Sequence, residues 1–248
     1  MYRTIKISIV SIGLIAVMGC KQGQKEDHLA IKDPTHPIEI PVGVVMTEEQ
    51  QTALSPDDVI KSLMEGNTRF RNDDLTARDY SKQVTNSAAG QYPDAVILSC
   101  LDSRIPVENV FDRGIGDLFV ARVAGNFANE DILGSMEFAC RISGSKLILV
   151  LGHNNCGAIK GAIDDVKLGN ITPMLQKIKP AIAMVDYSGE KKSSNTEYMA
   201  LACKSNVQYT IDNIRKNSPI LNTMEKNGEI KIVGAVYNLE NGKVDWMN

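Results

Sequence analysis

The sequence predicts an α/β domain in which a largely parallel central β-sheet is flanked by helices. Two patterns predict this fold class. Segments with a strand pattern alternate along the chain with segments of helical periodicity. One strand pattern, KLILVL at residues 146–151, is continuously apolar, as in a parallel strand covered on both faces. The chain has 248 residues, of which 43% are hydrophobic, so one domain can bury a sizeable core.

The first predicted helix begins within the segment SPDD at residues 55–58. This segment combines a capping hydroxyl, a proline at the first helical position and acidic residues in the first turn. The helix is expected to end before residue 72. Apolar segments then predict strands at residues 94–100 and 118–123, and apolar residues that share one face predict a helix at 131–142.

The second half of the domain continues the alternation. Helical patterns follow the apolar strand at residues 156–168, 171–185 and 196–217, and a last strand is predicted at 230–237. In sheets of this kind, functional sites form at the carboxyl ends of the strands. Chemically active side chains that follow strands are therefore the candidates for a site.

The N-terminus has the features of a secretory signal, which predicts that residues 1–19 are removed. Two early basic residues precede twelve uncharged, mostly apolar residues at 7–18, whereas a membrane span takes roughly 20. The sequence VMGC at residues 17–20 resembles a bacterial lipobox, in which the cysteine becomes the lipidated first residue. We therefore expect lipidation at Cys20, with an ordinary signal peptide and an incidental cysteine as the alternative.

Residues 20–50 are polar and contain three prolines, which predicts a flexible tether between a membrane anchor and a domain at 51–248. The expected location is the bacterial cell envelope, on the periplasmic side. Lys21 follows the cysteine in place of an aspartate, which favours the outer membrane. His28 and His36 lie in the tether, so His153 is the only histidine within the predicted domain.

Charge and composition exclude several classes of partner. The formal net charge is -3, and no basic stripe is visible, which argues against a nucleic-acid partner. The lipid anchor is the only membrane contact that we expect. The sequence also lacks the periodic self-similarity of a repeat protein.

The segment ILSCLDSRIP at residues 97–106 places a thiol, a carboxylate and a guanidinium at the end of a predicted strand. If the chain continues in extended form, Cys100, Asp102 and Arg104 point to the same side. A second segment, LVLGHNNCGAI, places His153 and Cys156 after another buried strand.

Two thiols and one imidazole form a soft donor set, and three protein ligands with one open position are typical of a catalytic zinc site. Cys100, His153 and Cys156 are therefore candidate ligands. Three other interpretations stay open: cysteines that act only as small buried residues, a Cys100–Cys156 disulfide, and a redox pair. Neither a disulfide nor a redox pair explains the presence of Asp102, Arg104 and His153.

These residues resemble the β-class carbonic anhydrases, whose signature is C-x-D-x-R followed about fifty residues later by H-x-x-C. The first motif begins here at Cys100 and the second at His153. The resemblance covers residues 51–248 and includes three further segments: ARVAGN (121–126), GSMEFA (134–139) and YNLENGKV (237–244).

The resemblance implies one Zn²⁺ per chain and the reversible hydration of CO₂ to bicarbonate by a zinc-bound hydroxide. It makes Asp102 the acceptor that orients the hydroxide, and Arg104 the residue that holds Asp102 and keeps it off the metal. It also implies a homodimer or tetramer in which an N-terminal helix packs on the partner subunit. Alternatives are a COS or CS₂ hydrolase on the same fold and a non-catalytic zinc-binding lipoprotein.

Family positions that line the substrate pocket are matched by Gln91, Phe119 and Phe138, the last in place of the usual tyrosine. Ile97 occupies the position that carries tryptophan in the bicarbonate-inhibited subset, so we expect an accessible, non-inhibited site. Cys140 and Cys203 lie in helical patterns, and buried thiols are favoured over a disulfide for both.

Overall fold

In the computed structural model of the protein, a five-stranded β-sheet organises the described residues, 43–247. The strands are β1 (Ala95–Ser99), β2 (Leu118–Arg122), β3 (Leu147–His153), β4 (Lys231–Tyr237) and β5 (Val244–Trp246). Their order is β2-β1-β3-β4-β5; the first four are parallel, and β5 pairs antiparallel with β4. The predicted α/β domain with a largely parallel sheet is confirmed.

Ten α-helices surround this sheet within the described residues. They are α1 (Glu48–Ala53), α2 (Pro56–Arg71), α3 (Tyr80–Ser87), α4 (Val107–Val110), α5 (Glu130–Glu137), α6 (Gly157–Ile163), α7 (Ile171–Gln176), α8 (Lys179–Ala183), α9 (Thr196–Asn217) and α10 (Pro219–Lys226). A π-helical segment, Phe138–Ile142, continues α5. In this part of the chain, no helix combines the length and apolar composition needed to cross a membrane.

Helix α2 forms where the sequence predicts it, because Ser55 and Asp58 cap each other's backbone N–H groups at its start. A second capping pair, Thr47 and Gln50, begins α1 within the segment predicted as tether. Met46 is buried in the core. The folded domain thus begins earlier than residue 51, whereas the predicted signal peptide, Cys20 and most of the tether lie outside the described residues.

Each face of the sheet is covered by helices. Helices α2 and α4 pack on one face through residues such as Val59 and Leu63, which are fully buried. Helices α5, α9 and α10 cover the other face, where Val207 and Ile211 of α9 contact the sheet core. Since both faces are covered, the apolar strands lie between two helical layers, and the polar ends of the strands are where a site can form. Packing of an N-terminal helix on a partner subunit stays a prediction.

Two predicted helices are shorter than expected. Helix α6 ends at Ile163, and Asp165 then has φ +53°, a left-handed conformation that cannot continue a helix. The predicted helix at 171–185 is divided into α7 and α8. Pro180 lies at the start of α8 and has no N–H to donate to the preceding turn, which separates the two helices.

Candidate active site

The carboxyl ends of two neighbouring strands bring the predicted metal ligands together. Cys100 directly follows β1, His153 is the last residue of β3, and Cys156 caps the start of α6. Because β1 and β3 are adjacent and parallel, their ends meet at one edge of the sheet. The three donor atoms lie within 4.8 Å of one another, all three residues are buried, and the two sulfurs are 3.9 Å apart. The structure therefore brings the three candidate ligands together.

Hydrogen bonds fix the orientation of the histidine. Nδ1 of His153 donates to the carbonyl oxygen of Asn154 at 2.8 Å, so its Nε2 carries the free lone pair. Asn154 is itself tied to the sheet, since its N–H donates to the carbonyl of Tyr237. Within residues 43–247, Nε2 of His153 is buried and has no hydrogen-bond partner. A buried lone pair beside two thiols fits a zinc ion.

The two thiols affect each other's ionisation. Their hydrogen bond lowers the pKa of Cys100 and raises that of Cys156, because one proton between two sulfurs favours one thiolate and opposes a second. Burial also opposes ionisation of both. A divalent cation compensates two adjacent thiolates, so the pair suits a metal. All four described cysteines are free, and the alternative of a Cys100–Cys156 disulfide is not found.

Asp102 and Arg104 form a bidentate ion pair beside this group. The guanidinium donates from Nε to Oδ1 at 2.9 Å and from Nη2 to Oδ2 at 2.7 Å. These hydrogen bonds hold the pKa of Asp102 well below its usual range. Oδ2 of Asp102 lies 3.9 Å from Nε2 of His153. The carboxylate is therefore beside the metal group, that is, the cluster of Cys100, His153 and Cys156.

The prediction that extended backbone aligns these side chains is wrong. Strand β1 ends at Ser99, and the chain turns, with the N–H of Ile105 bonded to the carbonyl of Asp102 at 3.3 Å. The N–H of Arg104 also donates to Oδ1 of Asp102 at 3.0 Å. The Asp102–Arg104 ion pair therefore forms through a local turn in which the aspartate side chain accepts a hydrogen bond from the backbone.

Arg122, the last residue of β2, was not predicted as a site residue. Its Nε donates to the carbonyl of Cys100 at 3.0 Å, and its Nη2 donates to the carbonyl of Asp102. One guanidinium thus fixes the backbone on both sides of Leu101. The segment ARVAGN contained this residue, but its contacts follow from the pairing of Ser99 with Arg122 between β1 and β2.

The predicted pocket residues do not lie beside the metal group of the same chain. Gln91 is exposed and precedes the amino end of β1. Phe119 pairs with Val96, four residues before Cys100, or about 13 Å along an extended strand. The Phe119 and Phe138 rings pack edge to face at 6.3 Å and line a groove of about 780 Å³ beside β2. Their role in a substrate pocket stays a prediction.

Cys140 and Cys203 are buried free thiols in the structure, in agreement with the favoured prediction. Burial raises the pKa of Cys140 to about 12 and that of Cys203 to about 11, so both are protonated at neutral pH. The Cys203 thiol donates to the carbonyl of His153 at 3.2 Å. It thereby supports the backbone of the metal group without belonging to the three clustered donors.

Comparison with known sequences assigns the chain that carries this arrangement to a protein family. The sequence model of the family described as carbonic anhydrase matches residues 95–244, which include all three clustered donors and the ion pair. The chain belongs to the carbonic anhydrase family. Carbonic anhydrase 2 of Mycobacterium tuberculosis is 34% identical over 193 residues, covering 74% of this chain and 88% of the relative.

Solved β-carbonic anhydrases share the fold. The structure of the β-carbonic anhydrase CcaA matches 76% of this chain and 91% of its own, with 24% identity and a TM-score of 0.61. A tetrameric β-carbonic anhydrase from Sordaria macrospora matches 77% of this chain and 94% of its own, with 19% identity and a TM-score of 0.58. The protein is thus a β-class carbonic anhydrase, an enzyme class that uses zinc, and its Cys-His-Cys group can bind that ion.

Proposed function

We propose that the protein hydrates CO₂ reversibly to bicarbonate and a proton, with one zinc ion per chain bound by Cys100, His153 and Cys156. One observation carries this proposal. The free Nε2 of His153 lies among two thiols and 3.9 Å from a carboxylate that is held in ionised form. When bound, zinc supplies a Lewis acid that makes hydroxide available near neutral pH.

Asp102 supplies orientation. An ionised carboxylate can only accept hydrogen bonds, so Asp102 would accept one from the hydroxyl group that attacks CO₂ and would thereby orient the oxygen lone pair toward the carbon of CO₂. Arg104 occupies both carboxylate oxygens, which keeps Asp102 ionised and in place. Asp102 retains 15% side-chain exposure and Arg104 61%, so the site opens to solvent on this side.

We also propose that the protein is a homodimer or a tetramer. The pocket positions Gln91, Phe119 and Phe138 lie away from the metal group of their own chain, so a second copy is needed for them to line its pocket. The groove formed by Phe119 and Phe138 lies beside β2, which is an edge strand, and Phe138 is 50% exposed. A second copy that covers this groove would bury both rings. The tetrameric relatives from Sordaria macrospora support this assembly.

For the location, we propose a periplasmic enzyme anchored by a lipid at Cys20, with the outer membrane favoured. Support comes from the sequence: a short apolar stretch at 7–18, the lipobox-like VMGC and the proline-containing segment after it. The described fold includes Gly43, whose carbonyl accepts a hydrogen bond from Nε2 of Gln83, so residues 21–42 lie between it and Cys20. That length lets the enzyme work beside the membrane without packing on it.

The proposed activity is tested by CO₂ hydration and metal analysis on the purified mature protein. We expect about one zinc per chain and loss of activity when a chelator removes it. Cys156→Ser is expected to lose both metal and activity, whereas Cys140→Ser, another buried thiol, retains both. Full metal content without hydration would instead indicate a zinc-binding lipoprotein, and hydrolysis of COS without hydration of CO₂ would indicate a different substrate.

A further inference from the structure

In the loop after β2, one backbone N–H group forms a hydrogen bond to the metal group. The N–H of Gly125 donates to Sγ of Cys100 at 3.3 Å. Gly125 has φ +85°, and a Cβ here would lie 2.4 Å from Cδ1 of Ile178. The close approach of this peptide to the sulfur thus depends on a residue without a side chain.

A buried asparagine holds the other side of the same residue. Nδ2 of Asn206 donates to the carbonyl of Gly125 at 2.8 Å, and Asn206 is fully buried. It lies within the 22-residue helix α9, which packs on β3, β4 and α8. Gly125 is therefore fixed between a rigid helix at its carbonyl and the Cys100 sulfur at its N–H.

We propose that Asn206 is a positioning residue for the metal thiolate: it keeps the Gly125 N–H directed at Cys100 and so limits how strongly that sulfur donates charge to the metal. The inference rests on the proposed zinc site. Two thiolates offset the charge of a divalent ion and weaken it as a Lewis acid, and a hydrogen bond to one sulfur withdraws part of that charge. Groups that bond to the ligands tune a metal in this way without touching it.

The test uses Co²⁺ in place of zinc, because the sulfur-to-cobalt charge-transfer band reports the charge on the sulfurs. In Asn206→Leu, which keeps a similar volume but has no donor, we expect this band to move to lower energy. Thr210→Val is the matched control. Thr210 lies one turn further along the same face of α9, is 1% exposed, and its hydroxyl has no hydrogen-bond partner among the described residues.

An unmoved band in Asn206→Leu, or an equal shift in Thr210→Val, would show that Asn206 serves packing alone. If Asn206→Leu does not fold, Gly125→Ala tests the hydrogen bond to Cys100 itself. A residue with a Cβ is strained at φ +85°, so the backbone shifts and the amide is displaced. The same shift is expected there, and an unchanged band overturns the proposal. Failure of the wild-type protein to bind Co²⁺ would instead refute the zinc site itself.

Discussion

A buried carboxylate far from the metal predicts how the stability of the domain depends on pH. Asp94 is fully buried just before β1, and its Oδ2 lies 3.1 Å from Nη2 of Arg113. Neither carboxylate oxygen accepts a hydrogen bond from the described residues. Burial raises the pKa of Asp94 from 3.8 to about 6; the Arg113 charge opposes this increase, and the nearby Asp117 adds to it.

A raised pKa means that the folded state holds the proton of Asp94 more tightly than the unfolded state. The resulting stabilisation is fully present below pH 3.8, decreases as the pH rises, and is lost above about pH 6. The two pKa values differ by about 2, which corresponds to about 3 kcal/mol in total. About half of this, ~1.4 kcal/mol, is lost between pH 5 and pH 7.5.

Urea unfolding of wild type and Asp94→Asn at fixed protein and zinc concentrations measures this effect. The unfolding free energy of wild type minus that of the variant is expected to fall by about 1.4 kcal/mol from pH 5 to pH 7.5. Asp186→Asn, which removes one exposed carboxylate, is the control for the change of charge. A difference between wild type and Asp94→Asn that does not change with pH would refute a raised pKa for Asp94.

Changes at three further residues test the site and the anchor. Arg104→Ala frees Asp102 to compete for the metal, so hydration activity at neutral pH is expected to fall by about 100-fold; Arg104→Lys is expected to restore only part, since an ammonium cannot bond both oxygens. Arg122→Met is expected to lower kcat by at least about 10-fold with zinc content unchanged, because Arg122 bonds the carbonyls of Cys100 and Asp102 and none of the three donor atoms; a parallel loss of zinc contradicts this role. Cys20→Ser is expected to release the protein from membranes with its specific activity intact, and a membrane-bound variant would disprove the anchor.

The metal group was predictable because it depends on one robust rule. Parallel strands of one sheet end at the same edge, so Cys100 and His153 were expected at that edge once both strands were identified, and the adjacency of β1 and β3 brings them into contact. Helix α2 was predictable from local capping chemistry at Ser55, and α9 from its long apolar periodicity. In each case, the signal lies within a few consecutive residues or in a strong repeat.

Other features were not predictable because their causes lie elsewhere in the chain. The turn that joins Asp102 to Arg104 is stabilised by Arg122, twenty residues beyond Asp102, and periodicity carries no information about that contact. The place of Met46 in the domain depends on burial against a core that the sequence pattern does not show. The placement of Phe119 away from its own metal group follows from register with β1.

The metal ligands and the residues that support them come from different strands. Cys100 and His153 lie at the ends of the central strands β1 and β3, whereas Arg122 ends the edge strand β2 and bonds the carbonyls of Cys100 and Asp102. A change confined to β2 therefore acts on the turn at Asp102 and on the hydrogen bonds to Cys100, while β1 and β3 stay paired with each other. The ratio of hydration activity to zinc content is consequently the quantity that reports on the edge strand.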